Sequence, residues 1–195
     1  MEEVLTTIYD FLINLINSSN VFGPLLACLL IFIESILPVL PLFVFITIIF
    51  IAYGYGFGFI ISYILTVLGC YLSFFLCRKL LKNFFENRIR KIDEFDKIMK
   101  KIDKINFSNL VLLISLPFTP AFLINIAASL SEMKFKKFSL AILIGKPFIV
   151  FFWGFIGTSL IESLKNPKII IIILIMLGIS YLLSKMVTKK LKIDK

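Results

Sequence analysis

The sequence predicts an all-α polytopic membrane protein with two inverted repeats, an N-terminal amphipathic helix and one extra C-terminal transmembrane helix. Each repeat is a proline-broken re-entrant helical hairpin followed by a transmembrane helix. Three observations lead to this class. The 195 residues are 59% hydrophobic with a mean hydropathy of +1.01, which is more apolar surface than a soluble domain of this length can bury. Two apolar blocks carry the same Leu-Pro-x-x-Pro motif, at 37–41 and 116–120. Most basic residues fall in a few polar segments.

The first predicted element is an amphipathic helix within residues 1–20. Apolar residues recur there at helical spacing, with polar residues on the opposite face. The pattern fits a helix lying in the membrane interface and equally one packed on the membrane domain. The acidic start, Met1-Glu2-Glu3, differs from the basic start of a secretory signal, so we expect this segment to be retained.

The first apolar block covers residues 22–53, and its length suits neither one crossing of about 20 residues nor two. Pro38 and Pro41 interrupt it near the middle. A proline there removes a backbone hydrogen bond and clashes with the preceding helical turn. We therefore predict two half-helices that enter and leave on the same face, with the turn between them buried in protein or lining a wet cavity.

The rest of the chain alternates between apolar and basic segments. Residues 53–58 are rich in glycine and tyrosine and predict a turn. Pro117 and Pro120 break a second apolar block as the first is broken. Residues 22–160 are expected to form one membrane domain. In order, the predicted elements are a span at 57–77, a basic loop at 78–105, a second re-entrant hairpin at 107–130, a span at 139–160, a last span at 169–187 and a basic tail at 188–195.

The basic residues predict the orientation. Residues 1–77 contain no lysine or arginine. If both broken blocks are re-entrant, the 78–105 loop, the 131–138 loop and the tail share one side. Together with Lys185 at the end of the last span, that side then holds 18 of the 21 basic residues. By the positive-inside rule that side is the cytoplasm, so we expect the amino terminus outside and the two hairpins entering from opposite faces. Inverted repeats with discontinuous helices are a transporter arrangement.

The composition argues against enzyme chemistry. The chain has no histidine, the commonest general base and metal ligand, and no nucleophile–base pattern is visible. Cys28, Cys70 and Cys77 lie in apolar stretches without the spacing of a zinc or haem site. We expect no enzyme activity, no cofactor, no metal and no nucleic-acid partner.

Three groups of residues between 22 and 160 form a recognisable set. They are Glu34 with Pro38 and Pro41; Gly69 with Arg78; and Pro117, Pro120, Asn125, Ala127, Ala128, Met133, Phe135, Phe138, Gly145, Pro147, Gly154 and Gly157. The set resembles the DedA superfamily, whose eukaryotic members are called VTT-domain or SNARE-associated Golgi proteins. This resemblance implies two opposed re-entrant hairpins and lipid transport. Bacterial relatives are linked to flipping of undecaprenyl phosphate and phosphatidylethanolamine and to the proton-motive force, and eukaryotic relatives act as scramblases.

The chain departs from the family pattern at three positions. Many relatives have an acidic residue just after the glycine at position 69, where this chain has Cys70. Many have an arginine before the first proline of the second motif, but residues 106–131 contain no basic residue. The glycine often found after the two alanines is Ser129. These departures count against a proton-coupled mechanism that uses an acid and an arginine.

Four polar residues are candidates for substrate or proton binding. Glu34 is an acid within an apolar run. Such an acid is typical of a transport path, and the alternative is an acid at a wet mouth or in a structural pair. Asn125 either hydrogen-bonds a phosphate or ties two helices together. Arg78 and Lys146 either snorkel to the interface or bind a lipid phosphate, and Lys146 is our candidate replacement for the missing arginine. Structural helix breaks are predicted at Pro38, Pro41, Pro117 and Pro120.

The leading hypothesis is a membrane lipid transporter, either a flippase or a scramblase, in the bacterial plasma membrane. Its substrate is expected to be a phosphate-bearing lipid such as undecaprenyl phosphate or a phospholipid, with proton coupling left open. One alternative is a proton-coupled transporter of a small solute or ion, and another is a non-transporting structural or interaction protein. The expected partners are membrane lipids and protons, and a homo-oligomer is compatible with the pattern.

Overall fold

The computed structural model describes residues 22–35, 42–81, 102–119, 121–163, 166 and 168–190, and every regular element in that part of the chain is a helix. The all-α class is therefore confirmed. The predicted helix at 1–20, most of the basic loop, residues 191–195 of the tail, and Pro38, Pro41 and Pro120 lie outside the described residues. The helices are α1 (Phe22–Glu34), α2 (Leu42–Leu76, continued by a π-helical turn, Cys77–Leu81), α3 (Phe107–Ser115), α4 (Ala121–Leu130), α5 (Phe135–Ser163) and α6 (Lys168–Lys190).

The helices fall into two classes by length. Among the described residues, three helical stretches are long and apolar enough to cross a membrane. They are Leu42–Leu80 (α2 and most of its π-helical turn), Phe135–Ser163 (α5) and Lys168–Lys189 (α6). By contrast, α1, α3 and α4 have 13, 9 and 10 residues, well below the ~20 residues that one crossing needs. The short helices are those next to the two proline motifs. The described residues thus contain three candidate membrane-spanning helices, whereas the re-entrant hairpins and the inverted repeats stay predictions at this point.

The long helix α2 folds back on itself at Gly54. The φ and ψ angles of Gly54 are 74° and 172°, a backbone conformation that favours glycine. A Cβ placed on Gly58 would lie 2.8 Å from the Cα of Phe50, although residues eight apart in an unbroken helix are separated by about 12 Å. The helix α2 therefore has two arms packed against each other, a first arm at 42–53 and a second arm at 55–76. The second arm alone has the length of one crossing.

The second arm of α2 and the helix α5 run antiparallel. The phenol of Tyr55 donates to the Thr158 hydroxyl at 2.9 Å, and that of Tyr63 donates to the Leu143 carbonyl at 3.0 Å. Further along, the Tyr71 and Ser139 hydroxyls lie 2.6 Å apart. Residue numbers rise on α2 as they fall on α5, so the two helices align along most of their lengths. The stacked rings of Phe74 and Phe138, with centroids 4.6 Å apart, form the centre of the core at one end.

Glycines let the first arm of α2 approach α5 closely. A Cβ on Gly157 would overlap the Thr47 side chain, and one on Gly154 would overlap the Phe50 ring. Small residues at such contacts are the usual means by which membrane helices pack at short distance, because the bilayer provides no hydrophobic driving force between them. The family-pattern glycines of α5 thus hold the first broken segment against α5.

Candidate functional site

The helix α1, which is the first half of the first broken segment, ends at Glu34, and Ser35 follows it. The Ser35 hydroxyl donates back to the Ile31 carbonyl at 2.9 Å, and its backbone N–H donates to the same oxygen at 3.1 Å. Ser35 is buried, and Glu34, the last residue of α1, is half-buried. The acid predicted from the sequence therefore lies where a short apolar helix stops.

The second broken segment changes direction between α3 and α4. Asn106 caps α3 by accepting the Asn109 backbone N–H on its side-chain oxygen at 2.9 Å, as N-cap residues do. At the other end the backbone becomes extended at Leu116, with φ −90° and ψ 126°. The Thr119 N–H closes a turn on the Leu116 carbonyl at 3.2 Å. Pro117 lies in this turn, where the helix is interrupted.

Both broken segments meet a glycine of a long helix in the same register of the proline motif. In each segment the residues three and six positions before the first motif proline contact a glycine that lies well inside α2 or α5. A side chain on either glycine would press into the neighbouring short helix. The pairs are Gly69 of α2 with Phe32 and Ser35, and Gly145 of α5 with Val111 and Ile114. The residues that follow these two glycines are Cys70 and Lys146.

Glu34 and Lys146 are the charged residues that the fold brings together. Lys146 lies within α5 just before the in-helix Pro147, and only 4% of its surface is exposed. It is close enough to act electrostatically on the Glu34 carboxylate. The Lys146 side chain is therefore almost wholly covered by protein, and its charge acts on an acid of the first broken segment.

Asn125 ties α4 to the second arm of α2. Its side-chain amide donates to the Cys70 sulfur at 3.3 Å. Asn125 is 3% exposed and Cys70 is fully buried. The other amide atom, Oδ1, has no hydrogen-bond partner among the described residues. Of the two roles considered for Asn125, the interhelical one has a partner here, at the position where many relatives carry an acid.

The Arg78 guanidinium lies at the C-terminal end of α4. It is 4.3 Å from the centre of the Phe74 ring and donates to backbone carbonyls at and just beyond the C-terminal end of α4. Those carbonyls lack partners within the helix, so a cation there satisfies and stabilises them. The accepting residues are Ala128 at 3.3 Å, Ser129 at 2.8 Å, Ser131 at 2.9 Å and Met133 at 2.9 Å. A phosphate-binding role for Arg78 stays a prediction.

Two residues of α6 were not singled out from the sequence. The Ser184 hydroxyl lies 3.2 Å from that of Thr119, and the Tyr181 ring meets Phe118 edge-on with centroids 5.8 Å apart. Both contacts are with the second proline motif. A sequence signal existed, since Tyr181, Ser184 and Thr188 recur at helical spacing on an apolar helix.

The side chains collected here are an acid, an amine, an amide, a thiol and hydroxyls. In the part of the chain that the structure describes, no three His, Cys, Asp or Glu residues come together in a way that could hold a metal ion. Such a set binds charged or hydrogen-bonding groups, because it offers one charge of each sign and several neutral donors.

Two comparisons relate the chain to known proteins. A family model described as the VTT domain matches residues 37–159. YhjE, an uncharacterized membrane protein of Bacillus subtilis (strain 168), is 32% identical over 184 residues, which cover 94% of this chain and 89% of the relative. No solved structure is significantly similar. The matched range includes Asn125, Lys146 and the second proline motif, and it ends before α6.

Proposed function

The chain belongs to the VTT-domain (DedA) family of membrane proteins, and on that basis we propose that it moves a phosphate-bearing lipid between the leaflets of the bacterial plasma membrane. The headgroup passes along the polar residues between the two broken segments while the acyl chains stay in the lipid. The chain acts as a transporter and not as an enzyme. Its substrates are phospholipids or undecaprenyl phosphate.

The observation that carries this proposal is the approach of Lys146 to Glu34. A lone buried charge in a membrane domain is costly, and ionisable residues there usually line a transport path or pair with one another. Lys146 supplies the positive charge that attracts a lipid phosphate, and Glu34 serves as its counter-ion when no lipid is bound. This arrangement places a cation near the second motif in a chain that lacks the family's usual arginine there.

The matched glycine contacts support the inverted-repeat architecture. We propose that α1 and the first arm of α2 form one re-entrant hairpin, and that α3 and α4 form the other. The first hairpin enters from the Gly54 end of the long helices and the second from the Arg78 end. Because residues just before each motif contact glycines inside long helices, we propose that the two turns lie at membrane depth, where discontinuous helices of transporters meet.

The charge distribution supports an orientation for this site. The Arg78 end adjoins the basic segments, so it faces the cytoplasm by the positive-inside rule, and the amino terminus lies outside. The helix α4 begins at Ala121, just after the second motif, and its N-terminal end carries a partial positive charge that favours an anionic headgroup.

Reconstitution tests the proposal. The purified chain is placed in phosphatidylethanolamine–phosphatidylglycerol vesicles that contain a fluorescent phospholipid, and transbilayer movement is followed by dithionite quenching. We expect movement above that of protein-free vesicles and a loss of at least tenfold in Glu34→Gln, a factor set by about 1.4 kcal/mol of lost interaction. No movement, or equal rates in both proteins, contradicts the proposal. Uptake of a soluble tracer instead would favour a solute transporter.

A further inference from the structure

The polar residues between the two broken segments are closed off in this structure. Lys146, Asn125 and Cys70 are all nearly or fully buried. A lipid headgroup cannot reach Lys146 without the displacement of some part of the protein. Any transport through this site therefore requires an element that opens.

The short helix α4 is held firmly at its C-terminal end. The Arg78 guanidinium donates to carbonyls on both sides of Leu130, where α4 ends, at distances of 2.8–3.3 Å. Several hydrogen bonds from one charged, planar donor are stronger and more directional than neutral ones. This end of α4 is the natural pivot of any movement.

The turn that leads into the opposite end of α4 contacts α6. Thr119, just before α4, shares a 3.2 Å hydrogen bond with Ser184, and Phe118 meets Tyr181 edge-on. Only 11% of the most apolar stretch of α6 is buried, compared with 50% for α5. One neutral hydrogen bond and one ring contact hold the turn to α6, whereas four hydrogen bonds from a charged donor hold the other end of α4, so the contact with α6 is the easier one to break.

The side-chain amide of Asn125, in the middle of α4, also lacks part of its hydrogen bonds. Asn125 contacts the Cys70 sulfur, which is a weak acceptor, and its Oδ1 atom has no partner among the described residues. A buried amide with an unpaired oxygen gains hydrogen bonds when it meets water or a polar headgroup. The hydrogen bonds that Asn125 gains therefore offset part of the free energy that the opening of α4 costs.

We propose that α4 is a flap, hinged at Arg78 and latched to α6 through the contacts of Thr119 with Ser184 and of Phe118 with Tyr181, that opens to admit the headgroup to Asn125 and Cys70. The proposal rests on the proposed function, since it gives the opening step of that same site. It also assigns α6, which lies beyond the matched family range, the role of holding the flap shut.

The native Cys70 thiol reports the opening. In a Cys28→Ser/Cys77→Ser background, Cys70 is the sole remaining cysteine of the three, and it is covered by α4. The chain is reconstituted in phosphatidylethanolamine–phosphatidylglycerol vesicles, and the rate of labelling by N-ethylmaleimide is measured. The latch variant is Tyr181→Leu/Ser184→Ala. Its matched control is Tyr181→Phe/Ser180→Ala, which keeps the ring at 181 and the hydroxyl at 184.

We expect labelling to be about tenfold faster in the latch variant than in the parent, a factor set by the loss of one hydrogen bond and one ring contact, and unchanged in the control. Equal rates in the latch variant and the parent overturn the flap. A rate increase that merely follows a lower thermal midpoint in both variants also overturns it.

Lipid movement is measured in the same vesicles, so that the two proposals fail separately. Faster labelling without any lipid movement in the parent supports the flap and removes the transport proposal. Normal lipid movement with unchanged labelling removes the flap and leaves the transport proposal standing.

Discussion

Lys146 of α5 lies within electrostatic reach of Glu34 at the end of α1. The two residues are 112 positions apart in the chain and belong to the two halves that carry the two proline motifs. The two halves of the chain therefore meet at the candidate site. Removal of either charge is expected to change the electrostatic energy of the other.

Substitution of Lys146 tests its contact with a lipid phosphate. We expect Lys146→Ala to lower the rate of lipid movement about tenfold or more, because the positive charge beside the second motif is lost. Lys146→Arg keeps the charge and should retain most of the rate. Lys136→Ala, at an exposed lysine of the same helix, is the control. Full activity in both Lys146 variants would contradict the role of this residue.

The coupling of Lys146 to Glu34 can be measured as stability. Lys146→Met leaves Glu34 without its counter-ion, so we expect it to be destabilising, and Glu34→Gln in the same chain should recover part of the loss. The coupling energy in a double-mutant cycle should be about 0.5–3 kcal/mol, measured by reversible unfolding in detergent. Additive effects would show that the two charges are independent.

Arg78 is predicted to be a structural residue of α4. We expect Arg78→Ala to lower the free energy of unfolding by about 3 kcal/mol, because it strips several carbonyls of a charged donor. Arg78→Lys should recover only part of this loss, since an ammonium cannot match the fork of a guanidinium. Lys79→Ala, at the exposed neighbour, should be silent. A fully stable Arg78→Ala protein would refute the assignment.

Two glycines in long helices should respond oppositely to alanine. Gly157→Ala presses a methyl group into Thr47, and we expect a loss of about 1–3 kcal/mol. At Gly178 of α6 an added methyl group would have nothing within 4 Å, so Gly178→Ala should be neutral or stabilising by up to about 1 kcal/mol. Thermal unfolding of both proteins in the same detergent makes the comparison. Similar losses at both positions would mean that close packing at Gly157 is not the cause.

The fold-back of α2 depends on the backbone conformation of Gly54. Gly54 and Gly56 both have open space around them, but only Gly54 has a positive φ, at 74°. We expect Gly54→Ala to cost about 1–2 kcal/mol, because an L side chain is strained there, and Gly56→Ala to cost nothing. Thermal unfolding again provides the measurement. If the two variants are equally stable, the backbone conformation at position 54 does not require glycine.

Much of the architecture could be predicted because the bilayer restricts what a sequence can do. Apolar runs of a given length must be helices, and prolines within them must break those helices. These rules found the short helices beside the motifs, and they marked Glu34 and Lys146 as unusual because of where their charges fall in the chain. The observed helices differ from the predicted ones mainly in extent, since α5 begins at Phe135 and α6 reaches Lys190, whereas spans at 139–160 and 169–187 were expected.

Contacts between residues far apart in the chain could not be predicted in the same way. Nothing in the sequence indicates that Arg78 binds the end of α4. Thr119 bonds a hydroxyl of α6, a helix that the motifs do not mark. These contacts depend on which helix faces lie together, and side chains far apart in sequence carry no mutual signal in a single chain.

Hydrophobicity, proline chemistry and charge act locally along the chain. For that reason the amino-acid sequence alone predicts a helical membrane protein, the places where its apolar blocks break, and the charged residues that are out of place in lipid. Three relationships depend on the packing of distant helices: Lys146 lies within electrostatic range of Glu34, Asn125 pairs with Cys70, and Arg78 caps α4. Those pairings follow from close contacts at glycines such as Gly69 and Gly145, whose effect exists only after the helices have packed.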